Sequence, residues 1–314
     1  MNTDFKCFSF KSRIILIDDN ESFLNNLSFK LTDNYLVETY SDPHQALDDI
    51  VSNYHGNLIS TSHNFLSEIE NEDDEICYSV DFPKIIDLSK NSHRTNTISV
   101  VIVDYSMPQM DGIEFCKKLA HLPILKIMLT GHADFRLAVD AFNNGIIDRF
   151  LVKDTQFMFE EIVNGIDVME KLFFEKLSYP LLTCFSSKKE TPVVSKEYTN
   201  HFKRVINELN AIEFYILNPL GSYLLISENG EKYYFIVLLD SQLDEYIDIA
   251  MDMRAQPEII NKMTKKTHAP IFIDEMDYKL PVSNWDSILC PIQKTNNYFY
   301  CVFPEKLRST EKLS

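Results

Sequence analysis

Short apolar runs alternate with amphipathic stretches through the first half of the chain. "RIILID" (13–18) predicts a strand, and Asn20 to Leu31 predicts a helix, with Phe23, Leu24, Leu27 and Leu31 at helical spacing. "LVETY" (36–40) predicts a second strand, followed over 42–53 by a helix opened by an Asp cap and Pro43. From 55 to 97 the alternation lapses into a polar stretch with the acidic run "EIENEDDE" (68–75). This reads as a surface insertion with one short helix, either a partner-binding insert or a tolerated loop. The alternation then resumes with "SVVIVD" (99–104), a helix around 112–120, the strand "ILKIMLT" (124–130), a helix over 133–144 and the strand "DRFLVK" (148–153). Five strands alternating with helices predict an α/β domain over 10–155, a doubly wound parallel sheet with helices on both faces.

The second half has a different texture. Over 155–177, Phe159, Ile162, Ile166, Met169 and Phe173 form an apolar stripe longer than one domain needs. It predicts an extended helix, either a plain packed one or one that offers a short pairing surface. "SSKKETP" (186–192) reads as a linker, so 156–189 joins the first domain to a second over 190–314. There, 213–240 predicts two or three strands, with a hairpin signal at Asn229-Gly230. Helices over 241–253 and 257–266 and strands over 269–274 and 297–303 complete a small α+β domain on an antiparallel sheet.

In an open α/β sheet the ligand site lies beyond the carboxyl ends of the strands. Those positions hold Asp18 and Asp19, Asp104, Thr130 and Lys153. Three carboxylates brought together repel, and a hard divalent cation such as Mg2+ relieves this while binding phosphate. A lysine and a hydroxyl opposite would hold phosphoryl oxygens, and an aspartate can act as the nucleophile. With seven glycines in 314 residues and no phosphate-cradling glycine loop, the phosphate is expected on a side chain rather than on a bound nucleotide.

These residues resemble the receiver domain of two-component response regulators. The resemblance rests on "LIDDN" with Asp18 and Asp19, "VDYSMPQMDG" with Asp104, "LTGH" with Thr130, and "FLVK" with Phe150 and Lys153. It covers about 10–160 and implies a five-stranded flavodoxin-like fold. It further implies that Asp104 accepts a phosphoryl group from a sensor histidine kinase or phosphotransfer protein. Asp18, Asp19, Asp104 and the backbone carbonyl of Ser106 would hold Mg2+, Asp18 through water. Thr130 and Lys153 would read the phosphorylated state, Phe150 would be the switch aromatic, and Ser106 and His132 would flank the hydrolytic water and tune lifetime. Met107, Pro108, Asp111 and Gly112 would shape the loop beside the site. Two positions depart from the pattern: Asp154 stands where the family commonly has proline, and Arg149 where many DNA-binding members have an acid.

The net charge of −17 argues against a nucleic-acid footprint, and the stretch 190–314 carries 18 acids against 13 bases with no arginine-rich recognition helix. Its one basic cluster, 261–268, reads as a solvated helix end. No catalytic signature is present in the second half, whereas Phe214, Tyr215, Tyr223, Tyr233, Tyr234 and Phe235 make its hairpin aromatic. Strand alternation would turn part of that set outward for contact with a protein or small ligand. The chain is thus expected to be a phosphorylation-switched regulator, not an enzyme, whose output partner is most simply a protein, and which pairs with itself on phosphorylation. The alternatives are an enzymatic output acting on a nucleotide, a DNA-binding regulator, and a phosphate sink. Six scattered cysteines without a C-x-x-C pair, isolated histidines and the lack of a signal or membrane-spanning segment predict a reduced cytoplasmic protein.

Overall fold

A computed structural model describes residues 5–55, 62–70, 76–131, 134–153, 155–186 and 191–306. The chain divides into two compact units, Ser9–Cys184 and a second made of Met1–Phe8 together with Phe185–Ser314.

The chain opens with a short strand, β1 (Phe8–Ser9), and then builds the first unit. Its elements begin with β2 (Arg13–Ile17), α1 (Glu21–Leu31), β3 (Leu36–Tyr40) and α2 (Pro43–His55). A hairpin of β4 (Leu66–Glu70) and β5 (Ile76–Val80) and the helix α3 (Phe82–Lys90) follow. Then come β6 (Ile98–Asp104), α4 (Gly112–Lys118), β7 (Leu125–Thr130), α5 (Phe135–Asn143), β8 (Arg149–Val152) and α6 (Met158–Ser186).

Five strands form one parallel sheet in the order β3-β2-β6-β7-β8, the doubly wound sheet that the alternation predicts in the flavodoxin-like order that the resemblance implies. Every residue of β6 is buried, as expected for a central strand with helices on both faces. Helix starts are fixed by side-chain caps: Asn20 accepts from the Phe23 N–H, Asp42 from that of His44, and Asp111 from that of Glu114. The strand order reverses between β2 and β6, which puts the ends carrying Asp18, Asp19 and Asp104 beside each other at the switch point.

In the first unit the structure departs from one expectation and decides between two others. The 55–97 insertion is more ordered than a loop with one helix: β4 pairs antiparallel with β5 from Leu66↔Val80 to Glu70↔Ile76, and α3 follows, capped by Asp81. Acidic residues within β4 hid the strand alternation, and 71–75, the rest of the acidic run, lie outside the described residues. The stripe on α6 is not a pairing surface, because Ile162, Ile166, Met169 and Phe173 are all buried. The helix also continues to Ser186 with Pro180 inside it, reaching about 43 Å at 1.5 Å per residue.

The second unit contains α7 (Lys196–Glu208), β9 (Ala211–Ile216), β10 (Tyr223–Ser227), β11 (Lys232–Leu238), α8 (Asp240–Asp252) and α9 (Pro257–Thr264). After these come β12 (His268–Pro270), α10 (Glu275–Tyr278), β13 (Leu289–Pro291), β14 (Gln293–Lys294) and β15 (Phe299–Pro304). A six-stranded sheet runs β1-β9-β10-β11-β15-β14, with antiparallel pairing from β9 through β14.

Both faces of this sheet are covered. Tyr198 and Phe202 of α7 pack against Phe214, Tyr223 and Phe235 on one face. Leu243 of α8 joins Ile236, Leu238, Cys301 and Phe303 on the other. The aromatic hairpin is therefore core rather than an outward recognition surface: Phe214, Tyr215, Tyr223 and Phe235 are buried, and the half-buried Tyr233 and Tyr234 donate to Glu231 and Glu305.

The edge of the sheet comes from the other end of the chain. The Ile216 N–H donates to the Cys7 carbonyl at 2.7 Å, and the Tyr223 hydroxyl to the Lys6 carbonyl at 2.8 Å. Phe5 lies edge-on to Tyr223, the Lys6 ammonium sits over the Phe214 ring, and Cys7 and Phe8 are buried. Among the described residues, no helix is long and apolar enough to cross a membrane.

Candidate functional site

The site stands on the carboxyl ends of β2, β6, β7 and β8. β6 ends on Asp104 because the β-branched run before it fills the core and the turn after it must leave the sheet. Gly112 is required by that turn: a Cβ there would lie 2.4 Å from the Asp104 carbonyl oxygen, and its N–H donates to the Tyr105 carbonyl. Gln109 in the same loop adopts φ +72°, and Met107 and Met110 are buried beneath it. Together they hold the loop between Asp104 and α4 in one path.

Asp18, Asp19 and Asp104 bring carboxylate oxygens within 4.8 Å of one another. Asp18 and Asp104 are buried, whereas Asp19 is exposed. The Lys153 ammonium lies 2.6 Å from Asp18 Oδ2 and 2.9 Å from Asp104 Oδ1, while Asp18 Oδ1 accepts from the Asn20 N–H at 2.9 Å. Burial pushes the Asp104 carboxyl above the usual aspartate range; Lys153 pulls against this and the charge on Asp18 adds to it. Burial also works against the Lys153 charge, but hydrogen bonds to Asp18 and Asp104 outweigh it and leave the ammonium above its ordinary pKa.

Thr130 is buried at the end of β7, its hydroxyl donating to the Gly131 carbonyl at 3.1 Å. The Lys153 N–H donates to the Thr130 carbonyl at 3.0 Å, which ties the ends of β7 and β8 together. Phe150, half-buried on β8, meets Phe135 and Phe142 of α5 edge-on, with ring centroids 5.4 and 6.1 Å away. The Ser106 hydroxyl faces Asp134 Oδ2 at 3.4 Å. Asp18, Asp19, Asp104 and Lys153 are thus brought together, with Thr130 at the neighbouring strand end. His132 and Asp154 lie outside the described residues.

Sequence reasoning missed Phe23. On the first turns of α1 its ring faces the Lys153 ammonium, 4.9 Å from the ring centroid. Its helical spacing with Leu24 and Leu27 marked it as core, and only its place one turn beyond Asp19 could have suggested the site.

The donor set suits a hard divalent cation: three carboxyl groups face one ammonium, and every donor atom is oxygen. The same arrangement suits a phosphoryl group on Asp104, with Lys153 already within reach of its oxygens.

Residues 74–167 match the response regulator receiver domain. The match takes in Asp104, Thr130, Phe150 and Lys153; Asp18 and Asp19 lie upstream of it, across the insertion. Among solved structures, the response regulator LqsR of Legionella pneumophila is similar over 100% of this chain and 98% of its own, at 25% identity and a TM-score of 0.75. An adenylate cyclase from Rhodopirellula baltica aligns with 55% of this chain and 98% of its own, at 25% identity and a TM-score of 0.37. The signal receiver domain of an HD domain-containing protein from Pseudomonas fluorescens aligns with 52% and 97%, at 20% identity and a TM-score of 0.35. No curated protein matches the chain.

Proposed function

We propose that this chain, whose first unit is a response regulator receiver domain, takes a phosphoryl group onto Asp104 from a sensor histidine kinase or phosphotransfer protein and switches its second unit as a binding module. The observation that carries this reading is the Lys153 ammonium held within 2.9 Å of both Asp18 and Asp104 at the switch point of the sheet.

The Asp104 carboxylate oxygen attacks phosphorus, the phosphorus–nitrogen bond to the donor imidazole breaks, and the imidazole leaves as the base. Asp18, Asp19 and Asp104, with the Ser106 carbonyl, would hold Mg2+, which when bound neutralises phosphoryl oxygens. Lys153 then transfers its hydrogen bond from Asp104 to a phosphoryl oxygen. Thr130 leaves the Gly131 carbonyl for another, and the space it vacates lets Phe150 turn away from Phe135 and Phe142. Ser106, beside the acceptor, would border the path of the water that ends the signal. The product is an acyl phosphate on the protein itself, which makes the first unit a phosphoacceptor.

Phe150 bears on α5, whose Phe135, Leu137 and Phe142 are exposed, and this face rather than the buried stripe of α6 supplies the contacts for phosphorylation-dependent self-association. In the second unit, Lys266 of the basic cluster is engaged by Asp240 and Asp244, which supports a protein partner over nucleic acid.

Incubation with acetyl phosphate and Mg2+ is expected to add one phosphate, and Asp104→Asn, Asp19→Ala or chelation of the metal to prevent it. Labelling of Asp104→Asn at the wild-type rate would refute the assignment. Light scattering with beryllofluoride is expected to show a doubled mass that Phe142→Glu abolishes; an unchanged mass removes the self-association.

A further inference from the structure

Helix α8 presents a face that its own unit does not use. Successive side chains turn by about 100°, so Tyr246, Ile249 and Met253 fall on one stripe and Glu245, Asp248 and Asp252 on the stripe beside it. The inward direction is fixed by the buried Leu243 and Ala250. Ile249 is 42% exposed and Met253 63%. The apolar stripe continues past Tyr246, whose ring meets Phe272 edge-on at 5.5 Å, to Tyr278, stacked on the same ring at 5.0 Å and 70% exposed. On the far side of the helix, Lys266 neutralises Asp240 and Asp244 at 2.6 and 2.7 Å. Glu245, Asp248 and Asp252 enter no ion pair among the described residues.

We propose that this face docks a basic amphipathic helix of a partner protein. Anchors at i, i+3 or i+4 and i+7 match two turns of apolar stripe, and lysines or arginines flanking them would meet Glu245, Asp248 and Asp252. The flexible thioether of Met253 suits a surface that adapts to its ligand. Charge decides between occupants: an anionic lipid surface, a nucleic acid or an acidic peptide would be repelled by the three carboxylates, while a neutral apolar helix would leave them unpaired at the rim.

The proposal rests on reading the second unit as a binding module and names the class of partner it takes. The test uses the full chain with 13C-methyl methionine and three synthetic peptides: a Leu/Lys amphipathic helix, its Leu/Glu counterpart and a Leu/Lys scramble without an apolar face. The basic amphipathic peptide is expected to shift the Met253 methyl signal, assigned by its loss in Met253→Leu, and the other two to leave it in place. Ile249→Lys with Tyr278→Lys, both exposed, should weaken binding read from the same Met253 signal about ten-fold or more, equal to about 1.4 kcal/mol. Glu245→Gln with Asp252→Gln should weaken it and flatten its salt dependence. A stationary Met253 signal, equal binding of the scramble, or unchanged affinity of either double variant overturns the proposal. Acetyl phosphate labelling of the same sample reports separately on Asp104, so the two readings fail independently.

Discussion

Asp104 and Lys153 form a pair whose charges are balanced against burial, and this makes the site's response to substitution specific. Asp104→Asn removes a buried carboxylate crowded by Asp18, so the unphosphorylated protein is expected to gain stability even as it loses labelling. A thermal scan should show a higher Tm, by about 2–4 °C for each kcal/mol recovered; a lower Tm would mean that the bond to Lys153 dominates over burial. Phe23 acts on the same lysine from the other side. Phe23→Leu keeps apolar bulk but loses the ring face, a contribution of about 1 kcal/mol. The acetyl phosphate labelling rate should fall about five-fold and recover in Phe23→Tyr; a Leu variant that labels at the wild-type rate refutes a positioning role.

His201 gives the second unit a pH dependence. Its ring lies in the core beneath α7, with Nδ1 2.7 Å from the Tyr298 hydroxyl, and burial holds its pKa below the ordinary histidine value. Arg204 acts in the same direction, Glu208 and Glu197 against it. The folded state therefore takes up this proton less readily than the unfolded chain does. Stability is intact above about pH 6.5 and is lost as pH falls through that value toward the folded pKa. Urea midpoints measured from pH 7.5 to 5 should decline, and His201→Gln should decline less. An equal slope would place the acid sensitivity elsewhere.

Among the elements, those built from one strong local signal were readable from the sequence, and those built from distant pairing were not. β6 announced itself by four consecutive β-branched residues, α1 by helical spacing, and α2 by an Asp cap with Pro43 behind it. Strand ends then gave Asp18, Asp19, Asp104 and Lys153 almost directly, because a doubly wound sheet leaves few other places for them to meet. β1 could not be read: two residues have no periodicity, and their partner strand lies some 200 residues away. The hairpin aromatics misled for a related reason, since alternation shows that a strand has two faces but not that α7 and α8 cover both. Removal of residues 1–8 uncovers the edge of β9 and takes away Phe5, Cys7 and Phe8 from the core. A loss of at least about 3–5 kcal/mol is expected, since one large buried side chain alone is worth that much and two phenylalanines and a cysteine are removed. Hydrogen exchange should show it as faster exchange in β9 and β10, with β2 and β6 unaffected; unchanged protection in β9 would make β1 dispensable.

At the scale of the molecule, the receiver-domain match at 74–167 lies in the first unit, which the sequence of the second flanks on both sides. The second unit draws on both ends of the chain, so the first is joined to it twice, at Phe8–Ser9 and at Cys184–Phe185. One joint leads after four residues into β2 and the acidic pair, and the other lies in the last turn of α6, which begins five residues after Lys153. The site is thus linked covalently to the second unit on two sides. Phosphorylation-dependent switching requires one covalent bond at one atom, a carboxylate oxygen of Asp104. Borohydride reduces an aspartyl phosphate to homoserine, leaving a permanent mark at the acceptor. After acetyl phosphate and Mg2+ treatment, borohydride and peptide mass mapping, homoserine is predicted at position 104 alone; no homoserine, or homoserine at 18 or 19, would contradict the account.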